Sequence, residues 1–180
     1  MHIPRNTRVI IPEGSHIGVL VTMARIGLQD TPYGSKQQIV LTWELPSQKL
    51  PDDRSACISQ TFSFSLNEKS SLYGVFSSWC PDMLRDPSPN WESLLGRGCI
   101  ISIVHKNGTQ GSFPKIASVS GLPPSTKAPK PSNRLSFYDT DDPDPKVLED
   151  LPQWIRNKIE SSLDAPEAPL EVKYDDNLPF

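Results

Sequence analysis

The feature that most constrains the fold is a change of hydrophobic period between residues 58 and 79. In "ISQTFSFSL" (58–66) apolar residues alternate with serine and threonine, which predicts a strand with one buried and one wet face. In "LNEKSSLYGVFSSW" (66–79) they recur at helical spacing, with Asn67 as a plausible cap and Pro81 beyond the end. The apolar residues are Ile58, Phe62, Phe64 and Leu66 in the strand, and Leu72, Val75, Phe76 and Trp79 in the helix. A strand is therefore followed directly by a short helix.

Further strands are predicted on both sides of this unit. Two apolar, β-branched segments precede it at 16–30 and 37–45, and "TPYGS" supplies turn residues between them. After the helix, "CIISIVHK" leads to Asn107 and Gly108, a strong hairpin signal, so "GSFPKIASVSGL" should return antiparallel. Five strands with a helix between strands 3 and 4 is the plan of the OB-fold, a small Greek-key barrel. We predict a mainly β, OB-fold-like five-stranded barrel, with a β-sandwich or another small barrel as the alternative.

The composition changes after Leu122. "PPSTKAPKPSN" is a proline-rich connector, "RLSFY" can add an edge strand, and helix starts are predicted at Asp144–Pro145 and at Pro152. "DAPEAPLEVK" has the composition of a flexible linker. We therefore predict an OB-fold-like nucleic-acid-binding domain over 1–138, an acidic extension with short helices over 139–163, and a disordered acidic tail over 164–180.

Charge is distributed unevenly along the chain. Residues 1–137 hold fourteen Lys and Arg against nine Asp and Glu, whereas residues 138–180 hold four against twelve. A basic body predicts a polyanionic partner, and the acidic end predicts a separate role. The alternative is an ordinary solvated surface with a solubilising tail.

Signatures of catalysis, metal binding and membrane insertion are missing from the sequence. It has no glycine-rich phosphate loop, no CxxC pair and no metal-ligand spacing among its three histidines. "DTDDPD" (139–144) lacks the glycine that a calcium loop needs. "MHIPRNTRVIIPEG" does not predict a signal peptide, and the apolar runs are too short to span a bilayer. We expect a cytoplasmic non-enzyme without cofactor, metal or membrane contact, whose three cysteines are reduced and buried.

Cations and aromatic residues near the predicted strand ends and loops suggest a surface for nucleic acid. Single strands are held by basic residues that follow the phosphates and by rings on which bases stack. The candidate residues are Arg25, Tyr33, Lys36, Trp43, Arg54, Lys106, Phe113 and Lys115. Trp43 has a core position as an equal alternative, because it alternates with Ile39, Leu41 and Leu45. Phe62 and Phe64 are assigned to the core, and Trp79 and Trp91 to the core or its rim.

The last seven residues, "YDDNLPF", closely resemble the acidic tip of bacterial and phage single-stranded DNA-binding proteins. In that family, partner proteins of replication and repair receive the terminal phenylalanine in an apolar pocket and hold the carboxylates with basic side chains. The resemblance implies a partner-binding role for Asp175, Asp176, Leu178, Pro179 and Phe180. Asn177 stands where the common tip has another acid.

A second resemblance covers most of the chain. "TWELP", "SLNEKSSLYGVFSSW", "LLGRGCIISIVHK" and "KIASVSGLP" are similar to phage-encoded OB-fold proteins that bind single-stranded DNA. It implies a protein that coats DNA in phage replication, recombination and repair, within a bacterial or phage-infected cytoplasm. A protein–protein adaptor and an RNA-binding module are the alternatives. The sequence leaves the oligomeric state open, with a homo-oligomer among the alternatives.

The tip yields the first prediction. Deleting residues 174–180 should leave folding intact and abolish capture of replication and repair partners in a pull-down. DNA affinity should stay unchanged or rise, most visibly at low salt, because an acidic chain end competes with phosphates for the same cations. Weaker DNA binding by the truncated protein, or unchanged partner capture, would contradict this role.

Overall fold

The computed structural model describes residues 11–109 and 111–166 and shows a mainly β protein with a few short helices. The strands are β1 (Gly14–Thr31), β2 (Gly34–Lys49), β3 (Ser55–Ser63), β4 (Gly98–Gly108), β5 (Gly111–Gly121) and β6 (Ser136–Tyr138). The helices are α1 (Ser71–Trp79), α2 (Pro81–Arg85), α3 (Pro145–Asp150) and α4 (Gln153–Glu160), with a 3-10 turn at Trp91–Leu94. The predicted helix between strands 3 and 4, both helix starts after residue 143 and the mainly β class are confirmed.

Five strands form one antiparallel sheet in the order β3-β2-β1-β4-β5. β4 ends at Gly108 and β5 begins at Gly111, so the predicted hairpin is confirmed, with its turn just after the Asn-Gly pair. β6 pairs with β1 in parallel at Thr22 to Ala24, beyond the stretch of β1 that pairs with β4. The "RLSFY" segment therefore adds a strand, as expected.

Among the described residues, β3 and β5 remain the edges of an open sheet, and no pairing between them closes a barrel. Pro114 of β5 lies at the seam between these two edges. Its partner across the hairpin is His105, whose backbone N–H is donated to Glu13 Oε1 instead of to β5. The nitrogen of Pro114 therefore faces away from β4, on the side of β3, and carries no hydrogen to donate.

The larger core lies between the inner face of the sheet and α1. Leu72, Phe76 and Trp79 of α1 are buried in it, as the helical spacing predicted. The cap prediction was wrong by three residues. Ser70 caps α1 by accepting from Tyr73 N, whereas the Asn67 side chain accepts from Lys69 N in the turn before it.

A second, smaller core covers the opposite face of β1 and β2. Ile155 and Ile159 of α4 and Leu151 pack there against the sheet. The sheet side chains of this core are Ala24, Ile26, Val40 and Tyr138. Residues 132–164, which we call the C-terminal cover, therefore form a layer of the fold that leaves the β1–β2 outer face little exposed.

The buried carboxylate of Glu44 fixes this cover to β2. Its side chain is inaccessible to solvent and accepts from the backbone N–H of Ser132 and Asn133 at 2.9 Å each. The Ser132 hydroxyl and Asn133 amide donate to it as well, at 2.7 and 2.8 Å. Burial alone would raise the pKa of Glu44, but these four hydrogen bonds outweigh it and lower the pKa to about 2.

At the other end of the cover, Asp164 fastens the chain to β1 and β2. Its carboxylate accepts from Leu28 N at 2.8 Å and from Gln37 Nε2 at 2.7 Å. Gly27, at φ 82°, makes room for it, because a Cβ there would stand 2.6 Å from Asp164 Oδ1. The hydrogen bonds lower the pKa of Asp164, which keeps the carboxylate charged.

The three cysteines are free, as predicted, but only Cys80 and Cys99 are buried. Burial raises the pKa of each of these two thiols to about 12. Cys57 was wrongly expected to be buried. It lies on the outward face of β3 and is exposed.

The Glu44 contact gives a stability prediction. Glu44→Gln should lower the free energy of unfolding at pH 7 by about 2–4 kcal/mol, because an amide cannot accept all four donors and some would be left buried without a partner. The exposed Glu149→Gln is the control.

The pH dependence follows from the lowered pKa. The contribution of Glu44 is complete above its ordinary pKa of 4.5 and is lost as the pH falls toward about 2, and it amounts to about 3 kcal/mol. Urea unfolding from pH 7 to 2 should therefore show a smaller loss of stability for Glu44→Gln than for the wild type. Equal losses of stability in the two proteins would contradict this contribution of Glu44.

Candidate nucleic-acid interface

A groove runs along the open seam between β3 and β5 and brings together three of the predicted DNA-binding residues, Lys106, Phe113 and Lys115. We call it the β3–β5 groove. It encloses about 700 Å³, and β3 lines it with Ile58, Ser59, Gln60 and Thr61. Ser59 and Thr61 point outward from β3, so the wet, hydroxyl-bearing face predicted from the alternation is confirmed.

Phe113 is held in place as a platform within this groove. Lys106 and Phe113 are directly paired across the β4–β5 hairpin. The ring lies against Gly108, where a Cβ would approach Phe113 Cε1 to 3.1 Å, so a side chain at that position would make a tight contact with the ring. The ring is nevertheless 43% exposed. One edge of the Phe113 ring is thus supported by the backbone at Gly108, and the exposed part of the ring is free to stack. Lys106, which is paired with Phe113, can contact a phosphate beside it.

A second groove, of about 610 Å³, lies further along β3 and the loop before α1. We call it the Phe64 groove. Lys36, which was predicted, lines it together with Phe64 and Lys69, which were not. The described residues that line these two grooves include four lysines and no carboxylate. Both grooves are therefore favourable to an anion and offer an exposed ring.

Phe64 was wrongly assigned to the core. β3 ends at Ser63, so the alternation that buries Phe62 no longer fixes the direction of the next residues. Phe64 is 43% exposed and lies beneath Arg25, whose guanidinium carbon is 4.8 Å from the ring centroid. A signal was available in the sequence, since "LNEKS" immediately afterwards is polar and favours the end of the strand.

Arg25 was predicted to bind phosphate, but in the structure its side chain is engaged in contacts within the fold. Its Nη1 pairs with Asp141 and, at 3.4 Å, with Asp139, both in the C-terminal cover. Its side chain is largely buried between these carboxylates and Phe64. The charge of Arg25 is therefore balanced within the fold by Asp139 and Asp141.

The other candidates lie apart from the two grooves. Tyr33, at the tip of the β1–β2 hairpin, is 87% exposed. Arg54 follows the β2–β3 turn, where it pairs with Asp52 at 2.6 Å. Trp43 does not belong to the surface, because it is fully buried and packs edge-on against Trp79 with ring centroids 6.1 Å apart. Of its two alternatives, the core position is the correct one.

Trp79 and Trp91 lie where the sequence placed them. Trp79 is buried and donates from Nε1 to the Gly98 carbonyl at 2.9 Å. Trp91 is partly buried at the rim, stacked on Phe76 with centroids 5.2 Å apart. The tip residues Asp175, Asp176, Leu178, Pro179 and Phe180 lie outside the described residues.

Two other properties of the described residues bear on function. Over 11–109 and 111–166, no helix is long and apolar enough to cross a bilayer. In the same part of the chain, no group of three His, Cys, Asp or Glu side chains is arranged to hold a metal ion. Comparison with known proteins finds no matching family model, no matching curated protein and no matching solved structure.

Phe62 and Phe64 provide a matched pair for testing this surface. Phe62→Ala should lower the free energy of unfolding by about 3–5 kcal/mol, because it empties a buried position. Phe64→Ala should cost about 1 kcal/mol or less, since it removes an exposed ring and one cation–π contact. Urea denaturation of both variants checks this. Equal losses in the free energy of unfolding would show that Phe64 belongs to the core.

Proposed function

We propose that this protein is a non-enzymatic single-stranded DNA-binding protein and that the bound DNA lies along β3. It coats exposed strands with little sequence preference during phage DNA replication, recombination or repair. One observation carries the proposal: the β3–β5 groove combines two lysines with a supported, exposed phenylalanine, and no described residue lining it is acidic. Cations with an aromatic platform suit an unpaired strand, because every base can stack and every phosphate is charged.

An OB-fold-like arrangement is the structural part of this proposal. The strand order and the helix between β3 and β4 are compatible with that plan, in which the sheet would close between β3 and β5. The β3–β5 groove lies at this seam. OB-folds bind oligonucleotides on the strand 2–3 face and through the loops after strands 1 and 4. Lys36 and Phe113 flank the corresponding hairpins, which supports binding at this side of the sheet.

The acidic tip gives the proposal its second half, recruitment of replication and repair proteins through Phe180 and the neighbouring acids. The support for this part is the sequence resemblance. The described chain reaches Pro166 just after Asp164, which is bound to Gln37 of the Phe64 groove. An acidic tail that starts beside a basic groove is well placed to compete with phosphates there.

Lysine variants test the electrostatic part. For a single strand, log K should fall with log salt at a slope of about −0.7 per phosphate contacted. Lys106→Ala and Lys115→Ala should each flatten the slope by about that amount, measured by oligothymidine titration at several salt concentrations. Lys146→Ala removes an exposed charge on α3 and should leave the slope unchanged. Salt-insensitive binding, or equal effects of all three variants on the slope, would contradict DNA binding in the β3–β5 groove.

Phe113 tests the stacking part in the same titration. Phe113→Ala should weaken binding by about 1–3 kcal/mol and leave the fold intact. Leu135→Ala is the matched control, because Leu135 is equally exposed, at 43%, and lines neither groove. If Phe113→Ala binds like the wild type, or unfolds at ordinary temperature, the ring is not a base platform.

A further inference from the structure

The C-terminal cover creates a pocket that neither the sequence nor the proposed function assigned. It encloses about 500 Å³ above the outer face of the sheet, and we call it the cover pocket. β2 and β3 line it with Thr42, Cys57 and Ser59, and the cover lines it with Arg134, Asp150 and Trp154. The pocket therefore exists only because the cover is folded over the sheet.

Trp154 places an exposed aromatic ring at this pocket. It is 43% exposed although it belongs to α4, a helix anchored by the next residue, Ile155, which is fully buried. The second core is formed by Ile155 and its neighbours and does not include Trp154. Exposing so large a ring in water carries a cost, and its position at a polar pocket is explained if a flat ligand covers it.

The polar groups of the pocket fit the edge of a base better than a phosphate. Arg134 pairs with Asp150, so the one cation is balanced by a carboxylate that would repel an anion. On the sheet side, the Thr42 and Ser59 hydroxyls are 2.7 Å apart and bonded to each other. Guanidinium, carboxylate and hydroxyl groups around an aromatic ring are the donors and acceptors that read an unpaired nucleobase.

The cover pocket adjoins the β3–β5 groove, because Ser59 lines both. A single strand of DNA whose phosphates contact Lys106 and Lys115 in the groove would therefore lie next to this pocket. The spacing along β3 is short, since Cys57 in the pocket and Thr61 in the groove lie on the same outward face two residues either side of Ser59.

We infer that the cover pocket receives one nucleobase of the bound strand and that Trp154 stacks on it, which makes the C-terminal cover part of the binding site. This inference rests on the proposed function. It adds a ligand class, an unpaired nucleobase, and a residue that lies far in sequence from the grooves. Arg134 and Asp150 position and read the edge of that base.

The test is a titration of the full chain with oligothymidine. Trp154→Ala should weaken binding about tenfold or more, whereas Trp154→Phe, which keeps a ring, should recover most of the affinity. Leu163→Ala removes another exposed apolar side chain of the cover and should bind like the wild type. Binding should also quench tryptophan fluorescence in the wild type and much less in Trp154→Phe, because the other tryptophans are buried or packed at the core rim.

Cys57 provides a readout that needs no substitution. It is the one exposed cysteine of the chain and it lines the cover pocket. Saturating oligothymidine should slow its alkylation by N-ethylmaleimide several-fold. If the wild type binds oligothymidine, but Trp154→Ala binds equally well and Cys57 is not protected, the inference is overturned and the grooves stand alone. If the wild type does not bind oligothymidine at any salt concentration, the proposed function itself fails.

Discussion

The hydrogen bonds that Glu44 accepts from Ser132 and Asn133 are the interaction on which the rest of the structure depends. A carboxylate buried in the middle of β2 is tolerated only because four donors replace its lost hydration. Those donors belong to the connector that brings β6, α3 and α4 onto the outer face of β1 and β2. The same contact therefore stabilises the sheet and determines which of its surfaces remain free.

The surface of the sheet that the C-terminal cover leaves free lies on the β3 side. The middle of β1 and β2 is covered on both faces, Arg25 is held by Asp139 and Asp141, and Pro114 of β5 has no N–H to donate toward the β3–β5 seam. The lysines and exposed rings are gathered along that seam and along the end of β3. The acidic C-terminal cover thus pairs with Arg25, whereas the lysines of the β3–β5 groove and the Phe64 groove remain exposed on the surface.

Local patterns in the sequence predicted most of the elements, because alternation, helical spacing, Asn-Gly and Pro at a helix start act over a few residues. Alternation offered Trp43 a core position as one of two alternatives, and that one is correct, whereas the assignment of Phe64 to the core was wrong because β3 ends at Ser63. The cover could not be predicted, because its contacts with Glu44 span almost ninety residues of chain. One sign was present, since "VLVTMA" in β1 is apolar at every position except Thr22 and shows no alternation, as is typical of strands buried on both faces.

Under the proposed function, unpaired bases and their phosphates are bound along β3. Filter binding with oligothymidine, a DNA duplex of equal length and oligouridine tests this. We expect salt-dependent binding of oligothymidine and much weaker binding of the duplex, whose bases are not free to stack on Phe113 or Trp154. Equal or tighter binding of the duplex would contradict it, and a clear preference for oligouridine would make this an RNA-binding module instead.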